Sequence, residues 1–208
     1  MLLDKQQISN MFLTAAALWK ENTGRLGDID ARFGDGDHGV TIGKIAALFE
    51  SRVREWRDEP TGDFIRELGR GIMEIGGGSA GPLYGSLIGG LAEPLADEEY
   101  IDGPLLKKML EGSLAEMFEL TTARVGAKTM MCALIPAVEA GLEAQGDAGA
   151  VMAAAAAAAA QGAKNTENCV SKFGRARSYG EQTLGTPDAG AVSTALLFEG
   201  FQKGITHA

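Results

Sequence analysis

The chain has 208 residues, 45% hydrophobic and 23% charged, with a formal net charge of −9. That length suits one domain, 1–208, that buries its core without staples. The acidic balance, with no Lys/Arg cluster, excludes a basic nucleic-acid-binding face.

Helical periodicity dominates. Ile8, Met11, Phe12, Ala15, Leu18 and Trp19 share one face of a 3.6-residue repeat. Asp4 and Gln7 form a capping-box pattern at its start, and Gly24 is expected just past its end. A second stripe is Ile42, Ile45, Phe49, Val53 and Trp56, and a third is Phe64, Leu68, Ile72 and Ile75. Pro82 sits where a first turn tolerates it, and Leu83, Leu87, Ile88 and Leu91 continue a fourth helix. Pro104 opens a fifth, with Leu105, Met109, Leu110, Leu114 and Phe118 expected inward. A sixth is predicted over about Thr129 to Ala144. Asp147 caps a seventh that contains the alanine run Ala153 to Ala160, a strong helix former. Val192, Ala195, Leu196, Phe198 and Phe201 mark an eighth. No segment alternates like a strand. Cys132 and Cys169 read as free thiols. The N-terminus lacks a signal-peptide pattern, and the apolar run Val151 to Ala160 is too short to span a bilayer, so a cytoplasmic protein without membrane contact is expected.

The strongest chemical signal is Asp28-Ile29-Asp30-Ala31-Arg32-Phe33-Gly34-Asp35-Gly36-Asp37-His38-Gly39. Carboxylates packed this closely repel one another, and a divalent cation with hard oxygen ligands relieves the repulsion. Asp35-Gly36-Asp37 in an extended loop puts two side chains on one side, and Asp30 completes a cluster. The EF-hand spacing does not fit. Magnesium takes few protein carboxylates per ion, so Asp30, Asp35 and Asp37 could hold two ions that bridge to phosphates. His38 reads as a ligand, a phosphate contact or a helix N-cap, and a phosphate-facing or helix-start role suits it better than that of a general base.

Two further glycine clusters lie between predicted helices. Gly76 to Gly85 leads straight into a helix, which serves either an anion at the helix start or close helix packing. Gly174 to Gly190 holds Arg175 and Arg177, of which Arg177 reads as a surface residue, and Ser171 to Asp188 is long for a plain connection. There is no Walker A or Rossmann glycine motif; Gly126-Ala127-Lys128-Thr129 lacks the required order.

The motifs Gly34-Asp35-Gly36-Asp37-His38-Gly39, Gly77-Gly78-Ser79-Ala80-Gly81-Pro82-Leu83-Tyr84-Gly85, Lys128-Thr129-Met130, Gly174-Arg175-Ala176 and Asp188-Ala189-Gly190-Ala191 stand in an order that resembles the nucleotide-binding L subunit of dihydroxyacetone kinases. The resemblance implies an all-α, eight-helix antiparallel barrel with ADP or ATP at one end. It implies two magnesium ions on Asp30, Asp35 and Asp37. It places nucleotide contacts at His38, Gly39, Val40, Thr41, Ser79, Ala80, Thr129, Met130, Arg175, Asp188, Ala189 and Gly190, with Arg175 the catalytic group. It also implies a phosphotransferase whose ketose is held on a separate K subunit. ADP is then either rephosphorylated in place by a phosphotransferase-system phosphoprotein or exchanged for ATP. The chain departs from the family pattern at Ala127, where an acidic residue is common, and at Cys132, where Asp is usual. It also departs at Ala80, often Ser, at Ala189, usually Pro, and after Ala176, where Arg177-Ser178-Tyr179-Gly180-Glu181-Gln182 stands for Ser-Tyr-Leu-Gly-Glu-Arg. These differences leave open a tetrulose or other ketose as substrate, or a nucleotide-sensing regulator without catalysis. A helical metal-binding protein without nucleotide is the plainest alternative.

Overall fold

The computed structural model describes residues 1–76 and 78–206; Gly77 of the second glycine cluster and the tail His207 lie outside the described residues. Among the described residues there are nine α-helices and no β-strand beyond a single Leu3–Ile101 bridge. They are α1 (Lys5–Glu21), α2 (Thr23–Asp30), α3 (His38–Glu55), α4 (Thr61–Met73), α5 (Ala80–Gly90), α6 (Gly103–Leu120), α7 (Met131–Glu143), α8 (Ala148–Asn165) and α9 (Ala189–Thr206). Short 3₁₀ segments cover Thr166–Asn168 and Arg175–Thr183.

The expected starts are present. Asp4 and Gln7 form a reciprocal capping box on α1, Asp147 caps α8 through Ala150 N–H, and Asp102 caps α6 ahead of Pro104. Eight helices form a closed ring, in which α1 packs on α3, then α4, α5, α6, α7, α8 and α9 follow, and α9 returns to α1. Short connections make neighbours antiparallel, and α9 runs antiparallel to α1: Gly200 meets Ala15 while Gly204, one turn on, meets Asn10 and Met11. The all-α barrel expectation is met, and α2 is the helix that periodicity did not reveal. It is too short to show an apolar stripe and buries Leu26 alone. Gly24 therefore sits in the first turn of α2, two residues beyond the Asn22 cap of α1, rather than in a loop.

The core is one continuous apolar cluster. Phe12 stands at its centre, with edge-to-face contacts to Phe49, Phe64 and Phe201 at centroid distances of 5.0, 5.8 and 5.3 Å. Small residues let the helices close up. A Cβ on Gly69 would stand 2.8 Å from the carbonyl oxygen of Gly85 and from Cα of Gly89, so α4 and α5 touch backbone to backbone. Phe118 departs from the expectation. It is 37% exposed with the Arg124 guanidinium over its ring, because Met117, one position earlier, is the residue that faces the core.

Candidate functional site: an aspartate cluster where three helices begin

Asp30 is the last residue of α2. The chain then turns back sharply, and the N–H groups of Phe33 and Gly34 donate to the Asp30 carbonyl at 3.1 and 2.7 Å. A side chain at Gly34 would be driven into the Asp30 carboxylate, its Cβ only 3.0 Å from Cγ. Gly36 takes φ +75°, a left-handed value that glycine accepts without penalty. The extended Asp35-Gly36-Asp37 display expected from sequence is thus replaced by a tight turn. The turn achieves the same convergence: one carboxylate oxygen from each of Asp30, Asp35 and Asp37 falls within 4.8 Å of the others. Partial burial and the neighbouring Asp35 and Asp30 carboxylates push the Asp37 carboxyl above its ordinary range. Three hard oxygen donors that destabilise each other's charge fit a divalent cation.

Two helices, α3 and α9, start beside this cluster, and a third, α5, is joined to them through Tyr84. α3 begins at His38, so Asp37 occupies the cap position and its side chain makes no cap hydrogen bond. The N-cap alternative for His38 is thereby corrected: it is the first helical residue. Its N–H lies 3.4 Å from Asp30 Oδ2, and its Nε2 lies 2.8 Å from Ser193 Oγ. Burial lowers the His38 pKa, opposed in part by Asp30, which favours a neutral ring. Gly39 is buried against α2, where a Cβ would press on the Thr23 carbonyl and approach Gly27 N to 2.9 Å. Val40 is 61% exposed, whereas Thr41 is 2% exposed and turned into the bundle.

α5 begins at Ala80 with exposed Ser79 at the cap position, again without a side-chain cap bond. Neither residue touches the aspartate cluster through a side-chain hydrogen bond among the described residues. The two readings of this glycine cluster divide by residue. Gly81 and Gly85 serve packing, since a Cβ on either would meet backbone of Ile75 or Gly69 within 3 Å. Gly78 has φ +58° with nothing within 4 Å, so it serves the turn and leaves the helix start open.

α9 begins at Ala189. Asp188 caps it, accepting from the Ala191 N–H at 2.8 Å, while its own N–H donates to Thr166 Oγ1 at 2.9 Å. Burial raises the Asp188 carboxyl to about 6, against the lowering effect of the Ala191 N–H and Lys128. Gly190 abuts Met130, whose Cβ would lie 3.4 Å from a Cβ placed there. Thr129 Oγ1 accepts from the Met131 N–H at 3.3 Å. Unsatisfied N–H groups and helix dipoles at three such starts favour an anion.

Arg175 opens the 3₁₀ segment and forms an ion pair with Asp35, while Tyr179 packs on Phe33 at 5.2 Å between centroids. The long connection thus leans across the aspartate turn through two contacts. Arg177 is elsewhere, lining an open hollow with Lys172 and Phe173.

Sequence reading missed Lys128. It is 4% exposed, adopts φ +58°, and donates from Nζ to the carbonyls of Thr166 and Thr186 at 2.7 and 2.5 Å. Its ammonium is turned inward onto these carbonyls, unlike a P-loop lysine that reaches for phosphate. The hydroxyls of Tyr84, Ser193 and Thr194 were missed as well, because each sits within an apolar helical stripe that reads as core.

The DAK2 domain model matches residues 32–203. The chain is 31% identical over 179 residues to the PEP-dependent dihydroxyacetone kinase 1 ADP-binding subunit DhaL of Listeria innocua, covering 86% of each chain. It is 33% identical over 183 residues to an L-erythrulose kinase of Pectobacterium atrosepticum, covering 86% of this chain. The chain spans only about a third of the length of the erythrulose kinases it matches, 31% and 33% of two of them. The dihydroxyacetone kinase of C. freundii, solved in native form and in complex with AMP-PNP and Mg2+, superposes with TM-score 0.71 at 24% identity, over 94% of this chain and about a third of that one. The fold, the matched domain and the near full-length likeness to a DhaL subunit agree: this chain belongs to the DAK2-domain family, which includes the ADP-binding DhaL subunits of dihydroxyacetone kinases.

Proposed function

We propose that this chain is a nucleotide-binding kinase subunit, a single domain over residues 1–208, that holds a magnesium–adenine nucleotide for phosphoryl transfer to a ketose bound on a separate K subunit. The observation that carries the reading is the placement of three carboxylates within 4.8 Å of one another beside the starts of α3 and α9, to which α5 is joined through Tyr84. Asp30, Asp35 and Asp37 would hold magnesium, two ions in this reading, which would neutralise phosphate charge and align the transferred group. The N–H groups at His38, Gly39 and Val40, at Ser79 and Ala80, and at Ala189 and Gly190 would donate to phosphate oxygens, with the neutral His38 ring and Thr41, whose own N–H is held by the Asp37 carbonyl, beside them. Thr129, Met130 and Asp188 would shape the nucleotide pocket. Arg175, paired with Asp35 here, is the one cation that touches the cluster among the described residues, and it would move onto phosphate once the aspartates are occupied. It would stabilise charge developing in the transfer step.

The substrate is dihydroxyacetone in the first reading. A tetrulose is the second, and the similarity to L- and D-erythrulose kinases favours keeping it. The phosphoryl donor is ATP or a phosphotransferase-system phosphoprotein that recharges bound ADP; the names of the DhaL relatives support the latter. No described helix is long and apolar enough to cross a membrane, which suits a cytoplasmic complex.

Calorimetric titration of the purified chain with ADP in magnesium buffer tests the site. Asp35→Asn should weaken binding at least about tenfold while leaving the unfolding midpoint within a few degrees, since an exposed loop carboxylate contributes little to the core. Equal affinity in variant and parent would reject the assignment. Adding a K subunit with dihydroxyacetone or erythrulose, and either ATP or the phosphoenolpyruvate relay, separates kinase from sensor.

A further inference from the structure

The mechanism above leaves unused a buried group of hydroxyls directly behind His38. Ser193 and Thr194 are 0% exposed and Tyr84 is 1% exposed. Ser193 Oγ lies 2.8 Å from His38 Nε2 and 2.7 Å from the Tyr84 hydroxyl, and within 3.0 and 3.1 Å of the Ala189 and Gly190 carbonyls. The Tyr84 hydroxyl lies 3.0 Å from Thr194 Oγ1, which donates to the Gly190 carbonyl at 2.8 Å. Trp19 Nε1 donates to the Ser193 carbonyl at 2.8 Å and ties the cluster to α1.

Packing alone does not call for these groups. A helical serine is satisfied by the carbonyl four residues before it, and a phenylalanine would fill the Tyr84 site without a polar atom to bury. Three hydroxyls buried together are tolerated only when each has a partner, and here none lacks one among the described residues. Burial pushes the Tyr84 phenol well above its ordinary value, so it stays protonated and keeps a donor. Each hydroxyl has one proton, and Thr194 gives its own to Gly190. Tyr84 then donates to Ser193 or Thr194, and Ser193 either donates to or accepts from the ring nitrogen. In both cases Nε2 is committed to α9, which fixes the ring plane.

The cluster also spans the site. His38 is the first residue of α3, Tyr84 lies in the second turn of α5 behind Ser79 and Ala80, and Ser193 lies in the second turn of α9 behind Asp188 to Gly190. We propose that Ser193 and Tyr84 are positioning residues for the nucleotide: they act through the His38 ring and hold the starts of α3, α5 and α9 in register. This rests on the reading of His38 as a nucleotide contact.

A double-variant cycle tests it. Mg-ADP affinity is measured by calorimetry for the full chain, Ser193→Ala, His38→Asn and the combined variant. Ser193→Ala should weaken binding about tenfold, the scale of one lost hydrogen bond at a recognition group. In the His38→Asn background the same change should cost less than about twofold, because the ring it positions is gone. Tyr84→Phe, which keeps the ring packed against Trp19 at 5.3 Å, serves as the milder second arm and should show the same dependence on His38. In addition, the ¹⁵N resonance of His38 Nε2 should move in Ser193→Ala. Equal losses in both backgrounds, or an unmoved His38 resonance, would overturn the positioning role while leaving the nucleotide site intact. A parent chain that does not bind Mg-ADP would overturn both readings.

Discussion

Asp188 permits a quantitative test because it is a half-buried carboxylate whose proton affinity is displaced by its surroundings. Its carboxyl titrates near 3.8 when free and at about 6 in the fold, with burial as the main cause. A folded-state pKa above the unfolded one means that the native protein takes up a proton that the unfolded chain does not, between about pH 6 and pH 4. The slope of unfolding free energy with pH is then negative in that window, so this group makes the fold more stable as pH falls from 7 to 4. At about 1.4 kcal/mol per pH unit of displacement, the swing is about 3 kcal/mol. Asp188→Asn keeps an oxygen for the Ala191 N–H and removes the titration. Urea unfolding in magnesium-free buffer at pH 4, 5, 6 and 7, for parent and variant, isolates the group. The variant should gain on the parent by about 3 kcal/mol as pH rises from 4 to 7, with the change centred between the two proton affinities. Parallel curves, or a variant that gains on the parent as pH falls, would refute the argument that burial dominates over Lys128 and the α9 amides.

Other perturbations follow from the same contacts. Lys128→Met should destabilise the fold by roughly 2–4 kcal/mol in urea unfolding, since it strips the Thr166 and Thr186 carbonyls of their donor and leaves Asp188 without its cation. Phe12→Ala should cost about 3–5 kcal/mol in the same assay, because three aromatic partners surround the void. Gly39→Ala should lower both the thermal midpoint and Mg-ADP affinity, the latter by more than about tenfold, since the new methyl pushes the start of α3 away from Thr23 and Gly27. An unchanged calorimetric titration would show that the α2–α3 contact does not position the site.

Much of this was legible in the sequence, and for physical reasons. The long apolar stripes gave eight ring helices, because a barrel helix buries one continuous face, and the stripe through Ile8, Phe12 and Trp19 is fully buried. The Asp30, Asp35 and Asp37 cluster was readable because three aspartates within eight residues, interleaved with glycine, can converge in one turn. What stayed hidden depends on long-range placement. α2 has only 8 residues and little periodicity. Lys128 looks like a surface lysine until two carbonyls, 38 and 58 residues away, close on it. Ser193 reads as a small helix residue, and its contact with His38 spans 155 residues. Phe118 failed differently: a one-residue drift of the stripe moved Met117 inward and left the aromatic ring outside.

The ring closes only when α9 lies down against α1 and α8. Among the described helices α9 follows the other eight along the chain, and it brings with it Ala189, Gly190 and Ser193. On the ribosome, a growing chain that has released α1 through α8 thus has the acidic turn but neither the wall behind His38 nor the third helix start. The proposed site is therefore complete only once α9 has joined the ring, and a chain without that helix would leave the faces of α1 and α8 that pack on it uncovered.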